Sequence, residues 1–254
     1  MTITYEQFDY EWFRSLALQK RKRGNQSSSQ KYYYVDIITA FDIETTYIKE
    51  IDNSVMYIWQ WQFGDKCTVI GRSWYELRLF LAELKEILHD NKLVIFVHNL
   101  SFEFQYLSGV FDFAPEDVYC MDSRQVLKAT LNDSFEFRCS YIQTNMSLRS
   151  FCEKMGVHSY KLKMNYKKRR YWYTELSPKE LAYCINDVRG LVEAIKIEME
   201  RDGDTLYTIP LTSTGYARRE AKAVLQSSQR WIKPLLPDKD TFLALRHAVR
   251  GGNT

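Results

Sequence analysis

The stretch "YYYVDIITAFDIETT" (residues 32–46) joins an apolar run to two acidic residues, and it decides how the other segments are interpreted. The run through Phe41 predicts a buried strand, with Asp42 and Glu44 following at its end. Residues two apart in a strand point to the same face, so the two carboxylates would repel each other. Either a cation lies between them, or the pair belongs to a solvated loop and has no special role.

The composition predicts a folded chain that can bury a sizeable core. It has 254 residues, 45% of them hydrophobic, which suits one large domain or one domain with an appendage. The net charge of +3 excludes a uniformly basic nucleic-acid coat protein. Five scattered cysteines lack metal-ligand spacing, and no apolar run reaches the roughly 20 residues of a membrane span. We therefore expect a cytoplasmic protein without membrane contact.

Hydrophobic periodicity predicts alternating strands and helices. The strand patterns cover residues 55–64, 66–71, 92–99, 125–132 and 135–142. The helical patterns cover the opening to about residue 19 and residues 74–90, 101–111, 147–156 and 177–203. The last has the strongest boundaries, because Ser177 suits an N-cap, Glu180 completes a capping box and Gly203 suits the end. The fold class predicted is α/β, a mixed central sheet flanked by helices.

Two further acidic residues follow predicted elements. Glu103 lies in "HNLSFEF" (98–104), just past a strand, and Asp187 closes "YCIND" (183–187) on the long helix. Tyr183 lies one turn before Asp187, so its hydroxyl and the carboxylate address the same point. Ordinary alternatives remain open: Glu103 as a solvated acid at a helix start, and Tyr183 with Asp187 as a plain helix pair.

Together these segments resemble the 3′→5′ exonuclease site of the DEDD superfamily, and more closely the proofreading domain of protein-primed family B DNA polymerases. "DIETT", "HNLSFE" and "YCIND" resemble its three Exo motifs. "SLRSF" (147–151) is similar to its S/T-L-x-x-h motif and "KLKM" (161–164) to its K-x-x-h motif. "RHAVRGGNT" (246–254) resembles the segment that contains Y-x-G-G and leads to the polymerase domain. The resemblance implies a ribonuclease H-like fold.

The resemblance also implies the roles of the site residues. Asp42, Glu44 and Asp187 would bind two divalent metal ions, Mg²⁺ or Mn²⁺, with Glu103 supporting the second. Tyr183 would orient the attacking water. Lys161 would stabilise charge near the scissile phosphate, with Lys163 as a rival. The positions that hold a single strand would be Thr45, Asn99, Phe102, Ser147 and Leu148.

Three details bear on this assignment. Glu103 stands where the family usually has Asp, and Val249 stands where the linker motif begins with Tyr. "KMNYKKRRYWY" (163–173) interleaves basic and aromatic residues, which indicates either a strand-guiding surface or a solvated charged loop. The polymerase motifs D-x-x-S-L-Y-P and Y-x-D-T-D do not occur in the sequence.

The function implied is proofreading by the N-terminal part of a DNA-directed DNA polymerase. Its partners would be single-stranded and primer-template DNA, a terminal priming protein, and a polymerase domain in cis or on a separate chain. Residues 1–30 would form an extension and basic loop, 31–203 the exonuclease domain and 204–254 a helical linker. A phage or plasmid origin would place it in a bacterial cytoplasm. Two alternatives stay open: a stand-alone DEDD exonuclease on RNA or short oligonucleotides, and a non-catalytic module that binds single strands or a priming protein.

Overall fold

The computed structural model describes residues 1–19, 32–122, 125–157, 164–165, 168–227 and 238–248. The chain divides into two compact units, residues 1–213 and 214–254. Among the described residues, no helix combines the length and apolar character needed to cross a membrane. The predicted segment boundaries at residues 30 and 203 stay predictions.

Ten strands and eight helices make up the described chain. The strands are β1 (Thr2–Thr4), β2 (Leu18–Gln19), β3 (Tyr34–Val35), β4 (Thr39–Ile48), β5 (Asn53–Phe63), β6 (Cys67–Gly71), β7 (Leu93–Val97), β8 (Val118–Asp122), β9 (Gln125–Leu131) and β10 (Phe135–Cys139). The helices are α1 (Tyr10–Arg14), α2 (Trp74–Leu88), α3 (Leu100–Leu107), α4 (Ser140–Thr144), α5 (Leu148–Met155), α6 (Pro178–Asp202), α7 (Ser213–Ser227) and α8 (Lys239–Ala248).

Eight of the strands form one mixed sheet in the order β1-β6-β5-β4-β7-β10-β9-β8. The central strand β4 pairs antiparallel with β5 and parallel with β7. β7 pairs parallel with β10, which turns back antiparallel onto β9. This confirms the predicted mixed sheet flanked by helices.

The two faces of the sheet carry different apolar clusters, and the alternation along β4 shows which side the acidic residues take. Phe41 and Ile43 belong to the larger cluster, whereas Ala40 belongs to the smaller one with residues of α5 and α6. Because side chains alternate along a strand, Asp42 and Glu44 lie on the side of Ala40. The strand therefore directs both carboxylates toward the helices α5 and α6.

Three predicted elements were wrong in their extent. The strand predicted over residues 135–142 ends at Cys139, where α4 follows. The opening is not one helix, because residues 1–19 contain β1, α1 and β2, and Phe8 and Phe13 are buried in the larger cluster. Asp42 and Glu44 do not follow a strand end but lie inside β4, because the hairpin with β5 extends that strand to Ile48. The run 32–46 is broken between β3 and β4.

The long helix α6 begins and ends as predicted. The Ser177 hydroxyl accepts from the backbone N–H of Glu180, and the Glu180 carboxylate accepts from the backbone N–H of Ser177. Gly203 ends the helix at φ 65°, a left-handed conformation that glycine adopts without strain. These caps set the two ends of the helix that carries Tyr183 and Asp187.

Candidate active site

Three acidic residues meet where α6 packs on β4. Asp42, Glu44 and Asp187 each offer a carboxylate oxygen, and these oxygens lie within 4.8 Å of one another. The strand brings the first two together because they are two residues apart, and the register of α6 adds the third. The sequence prediction that these residues converge is met by the geometry, whereas their catalytic roles stay predictions.

The electrostatics of this cluster favour a bound cation. Burial, and then the charge of Asp187, raises the pKa of Asp42 to about 7. Burial and the charges of Asp42 and Asp187 raise the pKa of Glu44 to about 9, while Arg170 opposes the rise. Carboxylate oxygens grouped this closely are the ligands that hard divalent ions prefer, and such an ion would offset the repulsion. The donor set therefore fits a divalent metal site.

Glu103 adjoins the cluster from the first turn of α3. Its side chain is 3% exposed, so it is not the solvated acid that the sequence left open as an alternative. Burial and the charge of Asp42 raise its pKa, and the two carboxyl groups share a hydrogen bond. Among the described residues its Oε2 atom has no hydrogen-bond partner. Glu103 thus contacts Asp42 but is not one of the three acids that can share one ion.

Gln60 is a polar residue of the site that the sequence analysis missed. It lies opposite Asp42 on β5, and its Nε2 donates to Asp42 Oδ2 at 2.5 Å. The side chain is fully buried. The signal in the sequence was a glutamine within the aromatic strand "VMYIWQWQF", because a buried amide needs a polar partner.

A cavity of about 570 Å³ adjoins the acidic cluster, although Glu44 does not line it. Its polar lining includes Asp42, Glu103 and Asp187. Three of the residues predicted to hold a single strand also line the cavity, namely Asn99, Ser147 and Leu148. The cavity is large enough for part of a nucleotide chain beside the carboxylates.

The other predicted site residues have different surroundings. Phe102 is 38% exposed with its ring 5.3 Å from that of Tyr106, and neither Phe102 nor Thr45 lines the cavity. Tyr183 is buried among Tyr57, Ile58 and Cys184, one turn from Asp187. Lys161, Lys163 and Val249 lie outside the described residues.

Arg170 lies inside the protein and not on the charged surface that one interpretation of residues 163–173 suggested. Its guanidinium donates to the Glu180 carboxylate at 2.9 and 2.6 Å and to the backbone carbonyls of Asn165 and Lys168. Its backbone N–H donates to Thr46 Oγ1 on β4. Arg170 thus ties this segment to β4 through its backbone N–H and to α6 through its guanidinium.

Comparison with known proteins identifies the family. Residues 26–203 match the family model described as 3′-5′ exonuclease. The chain belongs to the 3′-5′ exonuclease family. No curated protein sequence matches the chain.

Solved structures of Phi29 DNA polymerase share the fold of this exonuclease. The complex with single-stranded DNA superposes with a TM-score of 0.67 at 16% identity, covering 85% of this chain and 40% of that one. The ternary complex with primer-template DNA and incoming nucleotides gives 0.65, also at 16%, covering 85% and 39%. The ribonuclease H-like fold is therefore confirmed, and the chain spans about two fifths of the length of those polymerase chains.

We expect the metal-free exonuclease to lose stability as the pH rises. The pKa values of Asp42 and Glu44 rise on folding from 3.8 and 4.5 to about 7 and about 9. Between about pH 4 and these folded values the unfolded chain releases protons that the folded chain keeps, so the free energy of unfolding falls. Thermal unfolding in chelator from pH 5 to 8.5 measures this.

Asp42→Asn removes one of these ionisations and should raise the midpoint at pH 8 by about 3–10 °C. Glu86→Gln, at an exposed position on α2, should change it little. An Asp42→Asn midpoint at or below that of the wild type at pH 8 would contradict the raised pKa that burial and repulsion give Asp42.

Proposed function

We propose that this chain is the N-terminal proofreading part of a DNA-directed DNA polymerase of the protein-primed family B type. It removes 3′-terminal nucleotides from single-stranded or mismatched primer DNA. The observation that carries the proposal is the convergence of Asp42, Glu44 and Asp187, of which Asp42 and Asp187 line a cavity, within a chain of the 3′-5′ exonuclease family. Phi29 DNA polymerase, which shares the fold, forms complexes with single-stranded and with primer-template DNA, and this supports the choice of substrate.

The acids are assigned to metal binding. Asp42, Glu44 and Asp187 would hold two Mg²⁺ or Mn²⁺ ions, and Glu103 would support the second site through its contact with Asp42. Such ions activate the attacking water and stabilise the charge on the leaving 3′-oxygen. The longer side chain of Glu103, at a position where the family usually has Asp, is accommodated here by its hydrogen bond to Asp42.

The remaining residues position the substrate. Asn99, Ser147 and Leu148 line the cavity, which supports assigning them to contacts with the sugar, phosphate and base of a terminal nucleotide. Thr45 and Phe102 are assigned to contacts with the same single strand of DNA. Phe102 is partly exposed and can stack on a base.

Two roles concern the reacting groups. The Tyr183 hydroxyl, one turn from Asp187, would orient the water that attacks the phosphodiester. Lys161, with Lys163 as its rival, would stabilise charge at the scissile phosphate.

The wider organisation follows from the same assignment. Residues 31–203 are assigned to the exonuclease domain, to whose sheet β1 of the preceding segment is added, and residues 204–254 are assigned to a helical linker. A polymerase domain in cis or on a second chain and a terminal priming protein are the partners, within a phage or plasmid replicon in a bacterial cytoplasm.

Release of nucleotides from single-stranded DNA and RNA of the same sequence tests the substrate. With Mg²⁺ or Mn²⁺ present, DNA labelled at its 5′ end should shorten from the 3′ end at a rate that exceeds the RNA rate by at least about tenfold, and chelator should stop it. Preference for RNA would replace this proposal with a stand-alone DEDD exonuclease. Strand binding without release would replace it with a binding module.

A further inference from the structure

Gln60 contacts the acidic cluster, yet the proposed function gives it no role. Its Nε2 donates to Asp42 Oδ2 from a position of complete burial. We infer that Gln60 is a positioning residue: it holds the Asp42 carboxylate in the orientation in which that carboxylate binds a divalent ion. The inference rests on the proposed metal site at Asp42, Glu44 and Asp187.

The surroundings of Asp42 explain why a neutral donor is needed there. Three of its neighbours, Glu44, Glu103 and Asp187, are carboxyl groups. Repulsion among them favours a neutral Asp42 or a side chain rotated away. A lysine or arginine in place of Gln60 would stabilise the carboxylate but would also compete with the ion. An amide N–H stabilises the ionised form and adds no charge.

The strand pairing makes Gln60 a rigid support. β4 and β5 keep an unbroken antiparallel register from Thr39 opposite Phe63 to Glu44 opposite Ile58, and the register shifts only after Glu44. Directly opposed residues of neighbouring strands lie on one face, so Gln60 faces Asp42 without a rearrangement. The flanking indoles of Trp59 and Trp61 are buried on the other face and anchor the backbone of β5.

Gln62 lies two residues after Gln60 on the same face of β5, and both polar atoms of its side-chain amide have hydrogen-bond partners. Its Nε2 donates to the carbonyl of Gly64 at 2.6 Å, and its Oε1 accepts from the Thr68 hydroxyl. Gln60 differs, because its Oε1 has no partner among the described residues while its Nε2 is used on Asp42. Gln60 therefore uses its amide N–H groups on Asp42, while its carbonyl oxygen is left without a partner among the described residues.

Binding of Mn²⁺ to the intact chain without nucleic acid, measured by isothermal titration calorimetry, tests the inference apart from activity. Gln60→Met keeps the length of the side chain but removes the donor, and it should weaken Mn²⁺ binding about 10-fold or more. Gln62→Met removes an equally buried glutamine of the same strand and should stay within about twofold of wild type. In an Asp42→Asn background, Gln60→Met should cause no further loss.

The outcomes separate this inference from the proposed function. Equal Mn²⁺ binding by the wild type and Gln60→Met would overturn the role of Gln60 and leave the metal site intact. Absence of Mn²⁺ binding by the wild type would overturn the metal site itself. Gln60→Asn keeps the amide but draws it back by one methylene, so it should show the same loss, and it decides the question should Gln60→Met fail to fold.

Discussion

Replacing Asp42 and Glu44 together by alanine is expected to lower the rate of nucleotide release from single-stranded DNA by at least roughly 10²–10³-fold. Both side chains belong to the group of three acids whose oxygens lie within 4.8 Å of one another, so the variant leaves Asp187 as its only member. One remaining carboxylate cannot fix the position of divalent ions in the way that three can. Single-turnover degradation of a 5′-labelled oligonucleotide measures the change.

A matched control distinguishes the loss of metal ligands from the general effect of removing two negative charges. Glu83→Ala plus Glu86→Ala removes the same two charges from exposed positions on α2 and should retain activity within about twofold. The Asp42 and Glu44 variant should also melt no lower than wild type in chelator, because it removes two buried acids that repel each other. If the Asp42 and Glu44 variant released nucleotides at the wild-type rate, hydrolysis would depend on residues elsewhere in the chain.

Arg170→Met is expected to cause a large loss of stability. Arg170 is 2% exposed, and its guanidinium donates to Glu180 and to two backbone carbonyls, all of which the variant leaves without that donor. Removing one side of a buried ion pair costs about 3–5 kcal/mol. The midpoint of thermal unfolding should fall by roughly 10 °C.

Arg169→Met provides the comparison, because Arg169 is the neighbouring residue and forms its ion pair with Glu50 at the surface. Solvent screens exposed pairs, so they contribute little to stability and the midpoint should move by no more than about 3 °C. Arg170→Met should also reduce nuclease activity at temperatures where it is folded, because the segment that follows Lys161 loses its ion pair with Glu180 at the start of α6. Equal midpoints for the two variants would show that the buried network does not stabilise the fold.

The parts of the fold that sequence analysis predicted are those decided by local patterns. Residues 177–203 combine a capping box with a terminal glycine, and α6 has these bounds to within one residue. The aromatic run of β5 was predicted because no polar loop interrupts it. The opening was wrong because Phe8 and Phe13 pack against a sheet whose other strands lie later in the sequence.

Only those site residues whose type is unusual in a buried segment could be predicted from the sequence. Paired acids such as Asp42 and Glu44 attract notice because they repel, and Asp187 joins them through a motif order that resembles a known family. Gln60 and Arg170 did not attract notice, because their roles depend on the register of β5 against β4 and on the fold of the segment before α6. The sequence alone does not show how the strands pair or how that segment folds, so it does not predict the role of Gln60 or of Arg170.

Anomalous diffraction from crystals of the chain grown with Mn²⁺ and a short single-stranded oligonucleotide tests the proposed metal site most directly. We predict manganese peaks ligated by Asp42, Glu44 and Asp187, at about 2.0–2.3 Å from their oxygens, beside a 3′-terminal phosphodiester. Peaks confined to other residues, or a 3′ end bound away from these three carboxylates, would contradict it.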